Sequence, residues 1–222
     1  MAILKGIDKL RLIDMMLDFP RYKGLPDGLT MLPVPDELTI GKKKYPVPKT
    51  MEEFTSNICY GQRLFFTREE DSDFGIILRT IDGYYYPIVS VNKWDNEKAL
   101  QFGKIVLTCL AKDIYPIAMH LVTLIGEMAD REKALLHREP KKIERAAGIE
   151  RLNIFAELTA LDFLRDTMKI TIPEVLLTPY DECLVRFLAA KEMADYQERY
   201  MELVTEEAKA KLNKSKHDYK HH

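Results

Sequence analysis

The densest group of potential metal ligands lies in residues 68–87, which read REEDSDFGIILRTIDGYYYP. Aspartates at alternate positions followed by a glycine are typical of calcium-binding loops, in which side-chain oxygens ligate the ion. Counted from Asp71, however, the glycine falls at position 5 rather than 6, and position 12 is Asp82 rather than glutamate. Apolar residues recur at helical spacing from Phe74 onward. We therefore interpret the acidic residues as the start of a helix, where they stabilise its free amides, and predict no metal site.

The histidines could act as general bases or metal ligands. His120 lies inside an apolar helical pattern, which is typical of a hydrogen-bonded core residue. His137 falls near a predicted helix end, where a positive charge is favourable. His217, His221 and His222 belong to a charged C-terminal segment. We assign none of them a catalytic role.

Motifs for phosphate binding and for hydrolysis are absent from the sequence. It contains no GxxxxGK[ST], GxGxxG, GxSxG, HExxH or CxxC pattern. Cys59, Cys109 and Cys183 are too far apart for metal or redox spacing, so neither a zinc site nor a disulfide framework is expected. We predict a protein without enzymatic activity or cofactor. An enzyme would need a cleft around His120 or around the acidic residues at 69–73.

Composition and charge are those of an ordinary globular protein. The 222 residues are 46% hydrophobic and 31% charged, enough for one large domain with a small appendage. A formal net charge of −2 gives no general attraction to nucleic acid or anionic lipid, so direct nucleic-acid binding is not expected. The N-terminus lacks a signal-peptide pattern, and the longest apolar run is interrupted by His120 and Glu127. We expect a soluble intracellular protein without a membrane span.

Charge is distributed unevenly along the chain. Residues 1–50 carry nine Lys/Arg against six Asp/Glu, and residues 205–222 carry five Lys against three Asp/Glu. The segment between them is therefore acidic. Basic ends around an acidic middle favour head-to-tail or ring-like self-contact, or contact with an acidic partner; ordinary scatter is the alternative.

The N-terminal quarter combines a helix with a proline-rich segment. Apolar spacing predicts a helix over residues 4–17 that ends at Pro20. Residues 20–50 then contain too many prolines for a long helix. Residues 37–40 and 44–47 could pair as a hairpin. The alternative is an extended arm with little structure of its own.

The rest of the chain has helical periodicity. Predicted helical segments are 52–66, one ending at Gly83, 96–110, 114–136, 149–168, a brief one at Pro173, and 179 to about 212. We expect 149–168 to be a central, well-covered helix because its apolar residues lie on more than one face. The predicted fold is mainly α, a helical bundle with an N-terminal proline-rich arm or small hairpin. Its parts are residues 1–50, a helical domain at 51–212, and a flexible basic tail at 213–222.

Aromatic and basic residues outside these apolar faces are candidate protein contacts. The candidates are Lys42, Lys43, Lys44 and Tyr45 in the arm, Tyr84, Tyr85 and Tyr86, and the stripe Met193, Tyr196, Tyr200 and Leu203. Internal packing is the alternative for the three consecutive tyrosines. The stripe could equally fold back on its own domain. Tyrosine and methionine are enriched in interface cores, which favours contact with another subunit.

The order of these parts resembles that of small helical virion or assembly proteins of tailed bacteriophages, including crAss-like phages. The resemblance spans residues 35–200, through VPDELTIGKKKYPVPKTMEEFT, YGQRLFF, EPKKIERAAGIERLNIFAEL and EVLLTPYDECLVRFLAAKEMADYQERY. It implies a non-enzymatic, multi-copy protein, either a neck or tail ring component or a packaged virion protein. Implied partners are further copies of itself and portal, neck or tail proteins, in the virion or in host cytoplasm during assembly. The alternative is a tail-assembly chaperone or partner-binding module that is not retained in the virion.

Overall fold

The protein is described by a computed structural model that covers residues 9–18, 25–67 and 72–218, with side chains described to residue 211. The helices are α1 Leu12–Leu17, α2 Leu25–Thr30, α3 Met51–Thr55, α4 Tyr60–Phe66, α5 Asp73–Ser90, α6 Asn96–Val106, α7 Ala111–Leu136, α8 Lys142–Ala146, α9 Ala156–Met168, α10 Ile172–Leu177 and α11 Tyr180–Asp218. Strands β1 Glu37–Ile40 and β2 Lys43–Pro46 form a two-stranded sheet, and a 3-10 helix spans Ile149–Phe155. The prediction of a mainly α fold is confirmed.

The chain divides into two compact units. The first, Met1–Cys183, contains the sheet, helices α1 to α10 and the start of α11. The second, Leu184–His222, consists of the remainder of α11 in the part of it that the structure describes.

The proline-rich segment contains a hairpin rather than an extended arm. Strands β1 and β2 pair antiparallel, with Leu38 opposite Tyr45, and Gly41 adopts a positive φ of 65° in the turn. Leu38 and Ile40 are buried, so one face of the hairpin belongs to the core. Residues 25–30 also form a short helix, which the proline content of the segment had not predicted.

The N-terminal helix is shorter than predicted. Residues 1–8 lie outside the described residues, and α1 begins only at Leu12. Ahead of it, Arg11 pairs with Leu110 in an antiparallel bridge, and the amide of Ala111 donates to the carbonyl of Leu10 at 2.8 Å. The apolar spacing did not show that Leu10 and Arg11 would be extended rather than helical.

Polar side chains cap the first turns of several helices. Thr50 accepts from the Glu53 amide at 3.2 Å, and Ser72 accepts from the Gly75 amide at 3.0 Å. Asp95 accepts from two amides at the start of α6. Each side chain satisfies amides that have no partner within their own helix.

Helix α5 does not end at Gly83, contrary to prediction. It continues through Gly83 and Pro87 to Ser90, and Val91 ends it in the left-handed conformation. Gly83 has a packing role instead, because a Cβ at this position would collide with the ring of Phe66. The glycine allows α4 to lie directly against α5.

An aromatic cluster forms the centre of the first unit. It consists of two sets of ring contacts, one among Phe66, Phe54, Tyr84 and Tyr85 and the other among Phe65, Trp94 and Tyr86. The centroids of Phe54 and Tyr84 are 5.3 Å apart, and those of Phe65 and Trp94 are 5.1 Å apart. Such ring pairs add to the free energy gained by burial. The Tyr85 hydroxyl also donates to the Pro46 carbonyl at 3.2 Å and so ties α5 to the hairpin.

We predict that Gly61→Ala destabilises the protein whereas Gly126→Ala does not. A Cβ at Gly61 would lie 2.6 Å from Trp94 Cδ1 and 2.8 Å from the Leu176 carbonyl oxygen, and the second contact is with backbone that cannot move aside alone. Overpacking of this kind costs about 1–3 kcal/mol. Gly126 has open space around it in α7, so alanine there is expected to stabilise by about 0.5–1 kcal/mol.

Urea unfolding of both variants measures these changes. Equal free energies of unfolding for the two variants would contradict the close packing at Gly61.

Candidate functional site

Helix α5 begins at Asp73, within the segment that resembles a calcium loop. Residues 68–71 lie outside the described residues, and the cap of α5 is Ser72 rather than an acid. Asp82 lies within the helix, one residue before Gly83. Among the described residues, no cluster of His, Cys, Asp and Glu is suited to hold a metal ion.

His120 has a structural partner, as predicted. Its Nε2 lies 2.7 Å from the Pro48 carbonyl oxygen, so this nitrogen carries the proton and donates it. The bond ties α7 to the segment that follows the hairpin. His137 directly follows α7 and lies 3.5 Å from Glu139. Neither ring forms part of a nucleophile–base pair among the described residues.

A cleft of about 380 Å³ opens beside the start of α4. Its lining includes Cys59, Lys93 and Trp94. Burial raises the pKa of the Cys59 thiol, although backbone hydrogen bonds oppose the shift, so the thiol is protonated at neutral pH and is a poor nucleophile. The Cys59 amide donates to Gln62 Oε1 at 2.9 Å, and Gln62 Nε2 donates to the Gly83 carbonyl at 2.7 Å. These groups hold α4 to α5.

An ion pair joins α4 to α7. The guanidinium of Arg63 donates to both carboxylate oxygens of Glu132, from Nε at 3.0 Å and from Nη2 at 2.5 Å. Burial alone would lower the pKa of Arg63, but the hydrogen bond and the charge of Glu132 outweigh it and raise the pKa above its usual value. A bidentate pair of this kind fixes the orientation of the two helices.

Asp82 is the residue with the electrostatics of a catalytic acid. Its side chain is buried, Oδ1 has no hydrogen-bond partner, and burial raises its pKa to about 8. Such shifts often mark functional sites. Here, however, a Cβ on Gly103 would come within 2.6 Å of Asp82 Oδ2, so α6 covers the carboxyl group. Asp82 does not line the cleft beside α4, and its protonation belongs to the packing of α5 on α6.

The three consecutive tyrosines are core residues. Tyr84, Tyr85 and Tyr86 are all buried, and their rings contact other members of the aromatic cluster. Of the two interpretations of the sequence, internal packing is the one observed. The prediction of protein contacts at these residues is therefore wrong, because α5 continues past Gly83 and turns the rings into the core.

The hairpin presents its basic residues to solvent. Lys42, Lys43 and Lys44 are exposed, and Tyr45 is half-buried. Lys44 Nζ lies 2.8 Å from Glu37 Oε2 on the facing strand. The lysines remain candidate contacts on an anchored hairpin, rather than on a free arm.

The predicted stripe on α11 is exposed along its length. Met193, Tyr196, Tyr200 and Leu203 all lie at the surface of the second unit, with Tyr200 at 55% and Leu203 at 65% exposed. The rings of Tyr196 and Tyr200 stack with their centroids 6.3 Å apart. We call these four residues the C-terminal stripe.

A second exposed apolar surface was missed from the sequence. Residues 149–168, expected to form a covered central helix, instead form a 3-10 helix followed by α9, and only Leu164 of α9 is buried. Leu152, Ile154, Phe155 and Leu158 are exposed, with Ile154 at 82%. We call these four residues the 152–158 patch. Apolar residues on several faces indicated that the helix would be covered on several faces, but no described residue of the first unit covers these four side chains.

The predicted helix at residues 149–168 begins as a 3-10 helix after Gly148. This glycine has a φ of 81° and ends α8, so the segment after it restarts as a 3-10 helix. A 3-10 helix places every third side chain in line rather than following the period of 3.6 residues.

Comparison of the chain with models of protein families, with curated proteins and with solved structures found no match. In the part of the chain that the structure describes, no helix is both long and apolar enough to cross a membrane.

We predict that Asp82 makes the protein less stable as pH rises. Its pKa of about 8 in the folded state lies above the ordinary value of 3.8, so the folded protein binds this proton more tightly than the unfolded chain. The stabilisation is complete below the ordinary pKa and is lost as pH rises towards 8, at about 1.4 kcal/mol per pH unit.

Asp82→Asn keeps the shape of the side chain and replaces the titratable carboxyl group with an amide that does not ionise. The free energy of unfolding should fall more steeply for the wild type than for Asp82→Asn between pH 5 and pH 8, as measured by urea titrations. Parallel curves for the two proteins would show that Asp82 ionises normally in the folded state.

Proposed function

We propose that this protein is a non-enzymatic assembly protein that acts through repeated protein–protein contacts. The exposure of the C-terminal stripe is the single observation that carries the proposal. The resemblance to tailed-phage proteins suggests the setting, a neck or tail ring or another virion component. The proposed partners are further copies of the chain and other structural proteins of the particle.

The stripe has the composition of an interface core. Isolated exposed apolar residues are normal on protein surfaces, but a continuous apolar surface usually marks an interaction site. Tyr196 and Tyr200 are aromatic anchors of the kind that dominate binding energies. Covering apolar surface contributes about 25 cal/mol per Å², so four such side chains can drive association.

Acidic residues on the same helix keep the separated protein in solution. Asp195, Glu198 and Glu202 lie between the stripe residues along the helix; Glu202 is exposed, and Asp195 and Glu198 are half-buried. Glu207 lies seven residues after Tyr200 and therefore close to the line of the stripe. An assembly subunit needs apolar contact residues flanked by charged ones, because the contact surface is exposed to solvent before the partner binds.

The exposed lysines of the hairpin supply a second proposed contact. Lys42 and Lys43 lie at or beside its turn, and the hairpin is held in place by buried Leu38 and by the bond from Tyr85 to Pro46. A small rigid element presents charges at a lower entropic cost than a free arm. We propose that it contacts an acidic surface of another structural protein.

We predict that the double variant Tyr200→Gln, Leu203→Gln weakens self-association at least tenfold. The substitutions remove two exposed apolar side chains without changing charge, and loss of a single aromatic anchor costs about 2 kcal/mol or more. Sedimentation velocity across a concentration series measures the effect. Val185→Gln is the matched control, because it removes an exposed apolar side chain from the same helix outside the stripe.

Equal association of the stripe variant and the control would contradict the role of the stripe. A wild-type protein that stays monomeric at every concentration would contradict self-assembly. It would favour the chaperone or partner-binding alternative.

A further inference from the structure

We propose that the C-terminal stripe of one copy docks on the 152–158 patch of a second copy. The contact joins two different surfaces and repeats head to tail. This inference rests on the proposed function, because it names the receptor for a surface already proposed to bind another chain.

The patch lies in a long segment that is tied to the first unit by the ion pair of Glu132 with Arg63 rather than by buried apolar side chains. Every residue from 129 to 163 is described by the structure, and none of them is buried. Helix α8 and the 3-10 helix contribute no buried side chain. Surface helices of globular proteins normally bury one apolar face. Here Ile154 and Leu158, one helical turn apart, both face solvent, with Leu158 at 54% exposed.

Ion pairs hold this segment in shape without burying it. Arg138 lies 2.6 Å from Glu144, and Arg145 lies 2.6 Å from Glu139, so two pairs connect the end of α7 to α8. The Lys141 amide donates to Glu144 at 2.7 Å and begins α8. A patch that is already shaped loses less conformational entropy when a partner covers it.

The charges around the two surfaces are complementary. Residues 138–158, which lead into the patch and include it, carry five Lys/Arg against four Glu, a small basic excess. Residues 192–207, which contain the stripe, carry six Asp/Glu against Arg199 alone. Lys142 and Arg151 are exposed beside the patch, and Glu207 is exposed near the line of the stripe. Docking the stripe on the patch therefore brings opposite charges together around an apolar centre.

Pairing of one stripe with another is disfavoured by the same charges. Two copies of residues 192–207 would bring two acidic surfaces face to face, which costs free energy. A stripe–patch contact avoids this repulsion. Because each copy carries both surfaces, the contact leaves one copy with a free stripe and the other with a free patch. Heterologous contacts of this kind generate rings when the rotation closes and filaments when it does not.

Complementation between two variants tests the proposal. The patch variant Ile154→Gln, Leu158→Gln keeps an intact stripe, and the stripe variant Tyr200→Gln, Leu203→Gln keeps an intact patch. Each alone should associate at least tenfold more weakly than wild type. Mixed in equal amounts, they should form a dimer that does not grow further, because the mixed dimer has one intact contact and two blocked ends.

Leu100→Gln is the control for the patch variant, since it replaces an exposed leucine on α6. It should associate as wild type does. Circular dichroism of every variant verifies that the helices are intact, and the substituted positions are exposed, so unfolding is not expected.

Salt provides an independent readout. Opposite charges across the contact predict that wild-type association weakens as salt rises from 50 to 500 mM, at least threefold. Two acidic stripes in contact predict the reverse, because salt would screen their repulsion.

Two results would overturn the head-to-tail contact and leave the proposed function standing. The first is normal association of the patch variant when the stripe variant fails. The second is stronger wild-type association at high salt together with no dimer in the mixture. A wild-type protein that is monomeric throughout would overturn the inference and the self-assembly proposed for the stripe alike.

Discussion

The close approach of α4 to its neighbours is the constraint on which the first unit depends. At Gly61 the helix lies against Trp94 and the Leu176 carbonyl, and at Gly83 helix α5 lies against Phe66. Larger side chains at either glycine would hold these elements apart. With both glycines in place, the aromatic cluster closes, and its tyrosines hold the hairpin as well as α3. A folded centre is thus built around two positions without side chains.

The same packing determines which apolar residues remain outside. Tyr84, Tyr85 and Tyr86 are buried in the cluster. The remaining candidates for protein contacts are therefore residues at the surface. Residues 129–163 extend beyond it without a buried side chain, and the C-terminal stripe is exposed on its own unit. Both surfaces are apolar at their centres; residues 138–158 around the patch have a small basic excess, and residues 192–207 around the stripe are acidic. The stripe and the patch are the surfaces on which the proposed contacts depend.

Sequence patterns predicted the elements that follow local rules. The hairpin strand at residues 37–40 and the stripe on the last helix follow from local spacing and residue type. The errors have non-local causes. Gly83 serves a contact with Phe66 rather than a helix end, and only the fold shows that contact. The 152–158 patch was expected to be buried because its residues are apolar. Apolar composition does not indicate whether the surface that covers such residues belongs to the same chain. Asp82 gave no signal in the sequence, since its raised pKa arises from burial under α6.

Hydroxyl-radical footprinting of the wild-type protein at low and high concentration tests the central claim most directly, because it reports the exposure of individual side chains. The account predicts that labelling of Phe155, Tyr196 and Tyr200 falls together as concentration rises. Labelling of Met31, which is 86% exposed and lies outside both surfaces, should stay constant. Unchanged labelling of the patch and the stripe at a concentration where the protein is assembled would show that the contacts lie elsewhere, and would contradict the account.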